Sequence, residues 1–264
     1  MHRRLALAMT GLALMAGGGS AQGVRHARGT GRAAQTAPPH AVLLELFTSE
    51  GCSSCPPADY LLHVLNNKRT GAGALIVGIS EHVTYWNRLG WRDPFSSEIV
   101  TARQRGYAER FHQDDIYTPQ MIVNGEAQVL GSDEDAVRSA LAQAHPASET
   151  ALHIASAQRD ADGLSVTFSL SAAVAGAELV DVYAVVAEDV AATRVLRGEN
   201  AGHTLVHVAV ATTFSQVATL TETAATTVHI ALAKPPDGDG KRHLIVFAQV
   251  RGLGPVVAID SIAL

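Results

Sequence analysis

Val42-Leu-Leu-Glu-Leu-Phe-Thr-Ser-Glu-Gly-Cys-Ser-Ser-Cys-Pro-Pro-Ala-Asp59 begins as a short, mostly apolar strand and runs into two cysteines separated by two serines. An uninterrupted apolar run of this length suits a strand covered on both faces of a mixed sheet. After the cysteines, Tyr60, Leu61, Leu62, Val64 and Leu65 mark the apolar side of a helix. Pro56 and Pro57 are tolerated in a first helical turn, whose amides lack helical partners. Proline also disfavours helical geometry in the residue before it. The helix therefore begins either before or after Pro56-Pro57, and its first residue decides how far Cys52 lies from the positive end of the helix.

Working outward, Ala74-Leu-Ile-Val-Gly-Ile79 reads as a second buried strand, and Glu81 to about Gln113 as a longer, partly helical stretch. Gln120-Met-Ile-Val123, the turn signal Asn124-Gly125 and Gln128-Val-Leu130 make a hairpin. A last helix starts at Ser132 with Asp135 three residues on, turns Val137 and Leu141 inward and stops before Pro146. Strand, CxxC, helix, strand, insertion, hairpin, helix is the order of a thioredoxin fold, expected over residues 41–146. From about residue 150 the hydrophobic period becomes two. Leu164–Leu170, Leu205–Val210, Thr227–Leu232 and Leu244–Val250 read as strands, with turns at Asp162-Gly163 and Pro235–Gly240. The expected fold class is an α/β thioredoxin-like domain followed by an all-β, sandwich-like C-terminal domain over residues 150–264.

Residues 1–21 have the layout of a signal peptide: Arg3-Arg4, an uncharged apolar run from Leu5 to Met15, then small residues at Gly19-Ser-Ala21. That run is shorter than the roughly 20 residues needed to span a bilayer. Residues 22–40 mix Gly, Arg, Ala, Thr and Pro without periodicity and are expected to be a flexible linker. The expected location is periplasmic or secreted, without stable membrane insertion. With 20 Lys and Arg against 25 Asp and Glu, the net charge of −5 gives no excess of cations for phosphates, which argues against nucleic acid as a partner.

The only two cysteines in the chain form the CxxC pair. A structural disulfide is one reading, but closing so short a loop restrains the unfolded chain by only on the order of 2 kcal/mol. The other reading is redox chemistry. A CxxC at a helix N-terminus lowers the pKa of its first thiol, so Cys52 would attack and Cys55 would resolve the mixed disulfide. The partner would be a protein or a small thiol, with no cofactor and no resident metal. A soft-metal carrier using Cys52, Cys55 and His82, and a binding protein with an inert CxxC, are the alternatives. In a thioredoxin-like fold Thr118-Pro119, just before the strand at Gln120, is where a cis-proline faces the CxxC and the preceding residue meets the partner; a trans proline opening the strand is the plainer alternative.

The quoted stretch is similar to the signature of the DUF1223 family of secreted, thioredoxin-like bacterial proteins. Further matches are His82-Val83, Tyr85-Trp86, Leu89-Gly-Trp91, Arg103-Gln104, Tyr117-Thr-Pro-Gln120 and Arg197-Gly-Glu-Asn-Ala-Gly202. The resemblance implies the fold and leaves the substrate open. Thr84 departs from it, standing where an acidic residue is expected. His82, at the sheet end that carries the CxxC, either tunes the Cys52 thiolate or packs. Tyr85, Trp86 and Trp91 either line a groove beside the thiols or form core. His203 and His207 lie about 13 Å apart if both sit on a strand, too far to share an ion. Asp237-Gly-Asp-Gly240 reads as a solvated turn rather than a calcium loop.

Overall fold

The computed structural model describes residues 40–148, 151–171, 179–220, 224–232 and 240–264. The expected signal peptide, nearly all of the expected linker and most of the Pro235–Gly240 turn lie outside the described residues. Strand β1 (His40–Thr48) is buried at every position after His40, as a strand with both faces covered must be. Its side chains alternate. Val42, Leu44 and Leu46 meet helix α1 (Pro56–Leu65), while Ala41 and Leu43 face the other way. Strand β2 (Leu75–His82) runs parallel to β1, from Ala41 opposite Leu75 to Thr48 opposite His82. The insertion holds a 3-10 turn at Asn87–Leu89 and helix α2 (Glu98–Arg110), capped by Ser97.

Strands β3 (Gln120–Val123) and β4 (Ala127–Leu130) form the expected hairpin, with β3 antiparallel to β1. Asn124 (φ 53°) and Gly125 (φ 67°) both take left-handed geometry, which is what the Asn-Gly pair is suited to. Helix α3 (Glu134–Gln143) is capped one residue later than expected. Asp133 rather than Ser132 is its cap, accepting from the Ala136 N–H at 3.0 Å.

The second half departs further from expectation. Strands β5 (Ala147–Ser148), β6 (Leu152–Arg159), β7 (Gly163–Leu170), β8 (Val180–Arg194), β9 (Thr204–Leu220), β10 (Ala224–Ala231), β11 (Arg242–Val250) and β12 (Val256–Ala263) do not build a sandwich of their own. Only β10-β7-β6 form a separate three-stranded sheet. Its Leu164, Val166, Phe168 and Leu170 pack face to face on Val182, Ala184, Val186, Leu244 and Val246. The strands that carry those last residues join the first half in one nine-stranded sheet, ordered β2-β9-β8-β11-β12-β5-β1-β3-β4. Because β2 also pairs with β1, seven of its strands close into a ring. The boundary expected near residues 146–151 falls at β5, which bridges β1 and β12.

The ring is filled by Leu43, Val77, Ile79, Val185, Ala187, Phe214, Ile245, Phe247 and Ile259. Toward α2 the filling becomes polar. Arg103 reaches in and its Nε donates to Glu45 Oε1 at 2.5 Å, while its Nη2 donates to Gln249 Oε1 at 2.9 Å. Its guanidinium lies about 5 Å from the rings of Tyr107, Tyr183, Phe214 and Phe247. Burial opposes the Arg103 charge, but Glu45, Tyr107 and Glu81 outweigh it and hold the pKa higher still. Burial, and then the charge on Glu45, hold the Glu81 carboxyl well above the usual range. Removing the guanidinium leaves Glu45 buried without its cation. Arg103→Leu is therefore expected to cost about 3–5 kcal/mol in urea unfolding, against about 1 kcal/mol for an exposed residue such as Arg138.

Candidate functional site

Cys52 and Cys55 are joined in a disulfide. The loop from β1 delivers them to the N-terminal end of α1, where the helix begins at Pro56 and Cys55 is its cap residue. The Cys55 carbonyl accepts the first helical bonds from Ala58 and Asp59. Cys52 lies one turn outside the helix, its Sγ 3.3 Å from Ser54 Oγ. Both cysteines are fully buried although Ser53 and Ser54 are exposed.

The cover comes from the second half of the chain. The connection between β8 and β9 folds over the cysteine loop. Asn200 Nδ2 donates to the carbonyls of Glu50 and Cys52, both at 2.9 Å. Glu199 Oε2 accepts from Ser53 N at 3.0 Å and from Ser53 Oγ at 2.7 Å. These two bonds draw the Glu199 carboxyl below its ordinary pKa. Gly198 (φ 79°) takes the left-handed turn that brings the loop against Trp91.

Trp86 stands against the cysteine loop at Gly51, where an added Cβ would lie 3.0 Å from that of Trp86. Trp86 Nε1 donates to Thr118 Oγ1 at 2.8 Å. Thr118-Pro119 has a cis peptide bond and opens β3 at the end where β1 gives way to the cysteine loop. Gln104 supports this turn by donating to the Tyr117 carbonyl at 2.7 Å.

Buried beside the disulfide is a cluster of ionisable groups. His82 ends β2, with Nδ1 2.7 Å from Asp93 Oδ2, and its ring meets that of His207 at 4.6 Å between centroids. Asp93 also accepts from the amides of Glu50 and Phe95. Burial opposes the Asp93 charge, but His82 and these bonds pull its pKa below the usual value. His207, on β9, sits between Asp59 on α1 and Glu50 on the cysteine loop, 3.6 Å from each. At that distance the contacts are ion pairs rather than direct hydrogen bonds. Burial lowers the His207 pKa, yet the two carboxylates and Asp93 more than compensate and raise it to about 10. Among the described residues no group of three or more His, Cys, Asp or Glu is arranged to hold a metal ion.

The profile of the DUF1223 family, described as a protein of unknown function, matches residues 43–249. The chain belongs to the DUF1223 family. No curated protein matches it. Solved structures with a similar fold include protein AGR_C_4864 from Agrobacterium tumefaciens, with a TM-score of 0.60 and 26% identity, covering 86% of this chain and 95% of that one. Another is HBP35 of Porphyromonas gingivalis, with a TM-score of 0.54 and 13% identity, covering 86% of this chain and 76% of that one.

In this DUF1223 protein the cysteine loop and Thr118-Pro119 thus lie at the same end of β1, and Trp86 touches both, at Gly51 and at Thr118. His82 lies in the buried cluster and is held by Asp93. Trp91 donates to Glu50 Oε2 at 2.7 Å, and Tyr85 and Trp86 pack on the core of Phe47, Val100 and Tyr107. Thr84, in place of the expected acid, bonds Thr101 and so ties the start of the insertion to its helix α2. Sequence reasoning passed over Glu50, Asp59, Asp93, Glu199 and Asn200, and weighed His207 only as a metal ligand. Three signals were present. Glu50 and Asp59 flank the cysteines inside the opening stretch, and Arg197–Gly202 was among the matching motifs.

A raised imidazole pKa stabilises the fold fully below the unfolded value of about 6.5 and loses that contribution as pH rises through the folded value. Thermal midpoints of wild type and His207→Gln are expected to converge between pH 6.5 and about 10, wild type being the more stable at the lower end. A constant difference over that range contradicts the pairing.

Proposed function

We propose that this protein is a periplasmic or secreted thiol–disulfide oxidoreductase working through Cys52 and Cys55 on a thioredoxin-like segment. The observation that carries the reading is the Cys52–Cys55 disulfide at the N-terminal end of α1, at the end of β1 where Thr118-Pro119 opens β3. The thioredoxin-like reading is supported by the chain order β1, CxxC, α1, parallel β2, β3–β4 hairpin, α3. Export rests on the basic and apolar N-terminal residues 1–21, and suits a pair that must meet an oxidising compartment. No helix among the described residues is long and apolar enough to cross a membrane.

In the exchange a thiolate of a partner dithiol attacks Cys52 Sγ. The Cys52–Cys55 bond breaks and its electron pair leaves on Cys55. The second partner thiol, having lost its proton, attacks its own sulfur in the mixed disulfide and releases Cys52. The partner becomes a disulfide and the protein a dithiol, and the reverse sequence oxidises a client. Attack requires access to Cys52, which the Glu199–Asn200 loop denies while it is seated, so the loop acts as a cover that lifts for a partner.

The burial of both sulfurs favours a second reading, a binding protein whose CxxC only locks the loop. Equilibration of the mature protein with glutathione separates the two, with Cys55→Ser as control. A reversible transition between roughly −270 and −120 mV is expected; a value below about −300 mV marks a structural bond. A second expectation concerns the cover. Glu199→Ala removes the acceptor of both Ser53 bonds and should speed reduction by a small dithiol about fivefold or more. An unchanged rate means that the loop does not limit access.

A further inference from the structure

Five buried atoms in the cluster beside the cysteines have no hydrogen-bond partner among the described residues: Glu50 Oε1, Asp59 Oδ1, His82 Nε2 and both ring nitrogens of His207. An atom left unpaired there loses its bonds to water without replacement. A group of them retained in one place is poor for stability and points to chemistry.

We propose that Asp59 and His207 form a proton relay that serves Cys55 whenever the disulfide opens, with Glu50 holding the far side of the imidazole. The inference rests on the oxidoreductase reading and assigns to it a part played by the second half of the chain. Cys55 has helical geometry (φ −79°, ψ −36°), and its carbonyl accepts from the Asp59 amide at 3.1 Å. Residues four apart on a helix are side-chain neighbours, which sets Asp59 on the turn directly after Cys55. Asp59 Oδ1 is 3.6 Å from His207 Nδ1, and His207 Nε2 is 3.6 Å from Glu50 Oε1. The path from sulfur to imidazole is therefore short, and it is closed to solvent at every step.

The groups around His207 decide what it can give. Glu50 faces it from the cysteine loop, Asp59 from α1, His82 from the end of β2 and Asp93 from the insertion, with the Phe95 ring 6.2 Å away. Asp93 is already paired with His82, so the excess negative charge of Glu50 and Asp59 falls on His207 and keeps it protonated. When the disulfide opens, the Cys55 sulfur leaves with a negative charge inside the protein, and a protonated His207 is the buried donor that can neutralise it.

The step balances. A partner thiolate attacks Cys52 Sγ, the S–S bond breaks and Cys55 Sγ carries away its electron pair. One proton moves from His207 Nδ1 through the Asp59 carboxylate to Cys55 Sγ, leaving a neutral imidazole between two carboxylates and a neutral thiol. When the pair is re-oxidised by a client disulfide, Cys55 returns that proton to His207 as it attacks the mixed disulfide.

Stopped-flow reduction of the mature protein by dithiothreitol tests this from about pH 6 to above pH 10, with rates corrected for the reagent's thiolate fraction. Wild type should hold a level rate until His207 loses its proton and then decline. Asp59→Asn and His207→Gln should be slower by about 100-fold on the level part and should lack the decline. Profiles that superimpose on wild type overturn the relay. A wild-type disulfide that dithiothreitol does not reduce overturns the oxidoreductase reading itself. A measurement on the unaltered protein guards against misfolded variants. The His207 imidazole, followed by NMR, should titrate differently in the disulfide and dithiol forms, and an identical titration in both forms counts against the relay.

Discussion

Ser80 of β2 stands opposite Val210 of β9, and through this pairing the second half of the chain is fastened to the strand that runs beside the CxxC. Near this pairing the His207 ring of β9 meets the His82 ring at the end of β2, 4.6 Å between centroids. Strand β9 follows the connection from β8 whose Glu199 and Asn200 bond Ser53 and the Cys52 carbonyl. The buried imidazole and the cover thus belong to one strand and the loop that leads into it. The order β2-β9-β8-β11-β12-β5-β1 then makes the pairing cooperative, because loosening β9 opens a ring whose interior is filled with apolar side chains and one compensated guanidinium.

The arrangement explains how a helix-terminal disulfide comes to be fully buried. Its burial does not come from core packing alone. Glu199 and Asn200 contribute four hydrogen bonds across the site, three of them to backbone groups, and all four join segments that are otherwise separate loops. Bonds of this kind contribute about 1 kcal/mol each and are readily exchanged for bonds to a partner's backbone. Beneath the disulfide the situation is reversed. The carboxylates and imidazoles there are sealed from water, so their charges are set by one another rather than by solvent.

Much of the first half was legible in the sequence because its signals are local. The run Val42–Phe47, the CxxC-Pro-Pro junction, Asn124-Gly125 and the helix through Val137 and Leu141 each specify their own conformation. Ser132 was a near miss, since Asp133 is an equally good cap and lies one residue closer to the helix. The ring was not legible. Period-two alternation in residues 150–264 says that a strand has two faces but does not say what covers each. Strand β8 lacks even that alternation, because Val182, Ala184 and Val186 serve one core while Val185 and Ala187 serve the other. Strand β5, only two residues long, leaves no pattern. The same limit hid the cluster, whose members are distant in sequence and meet only when β9 docks on β2.

The central claim is that Cys52 is the sulfur that meets a partner, with Cys55 resolving the bond. Trapping tests it most directly. Cys55→Ser, incubated with oxidised glutathione and analysed by intact mass and peptide mapping, should accumulate one glutathione on Cys52, while wild type returns to its internal disulfide and retains none. A Cys55→Ser protein that is folded but stays unmodified at Cys52 would contradict the account and leave the pair as a structural staple.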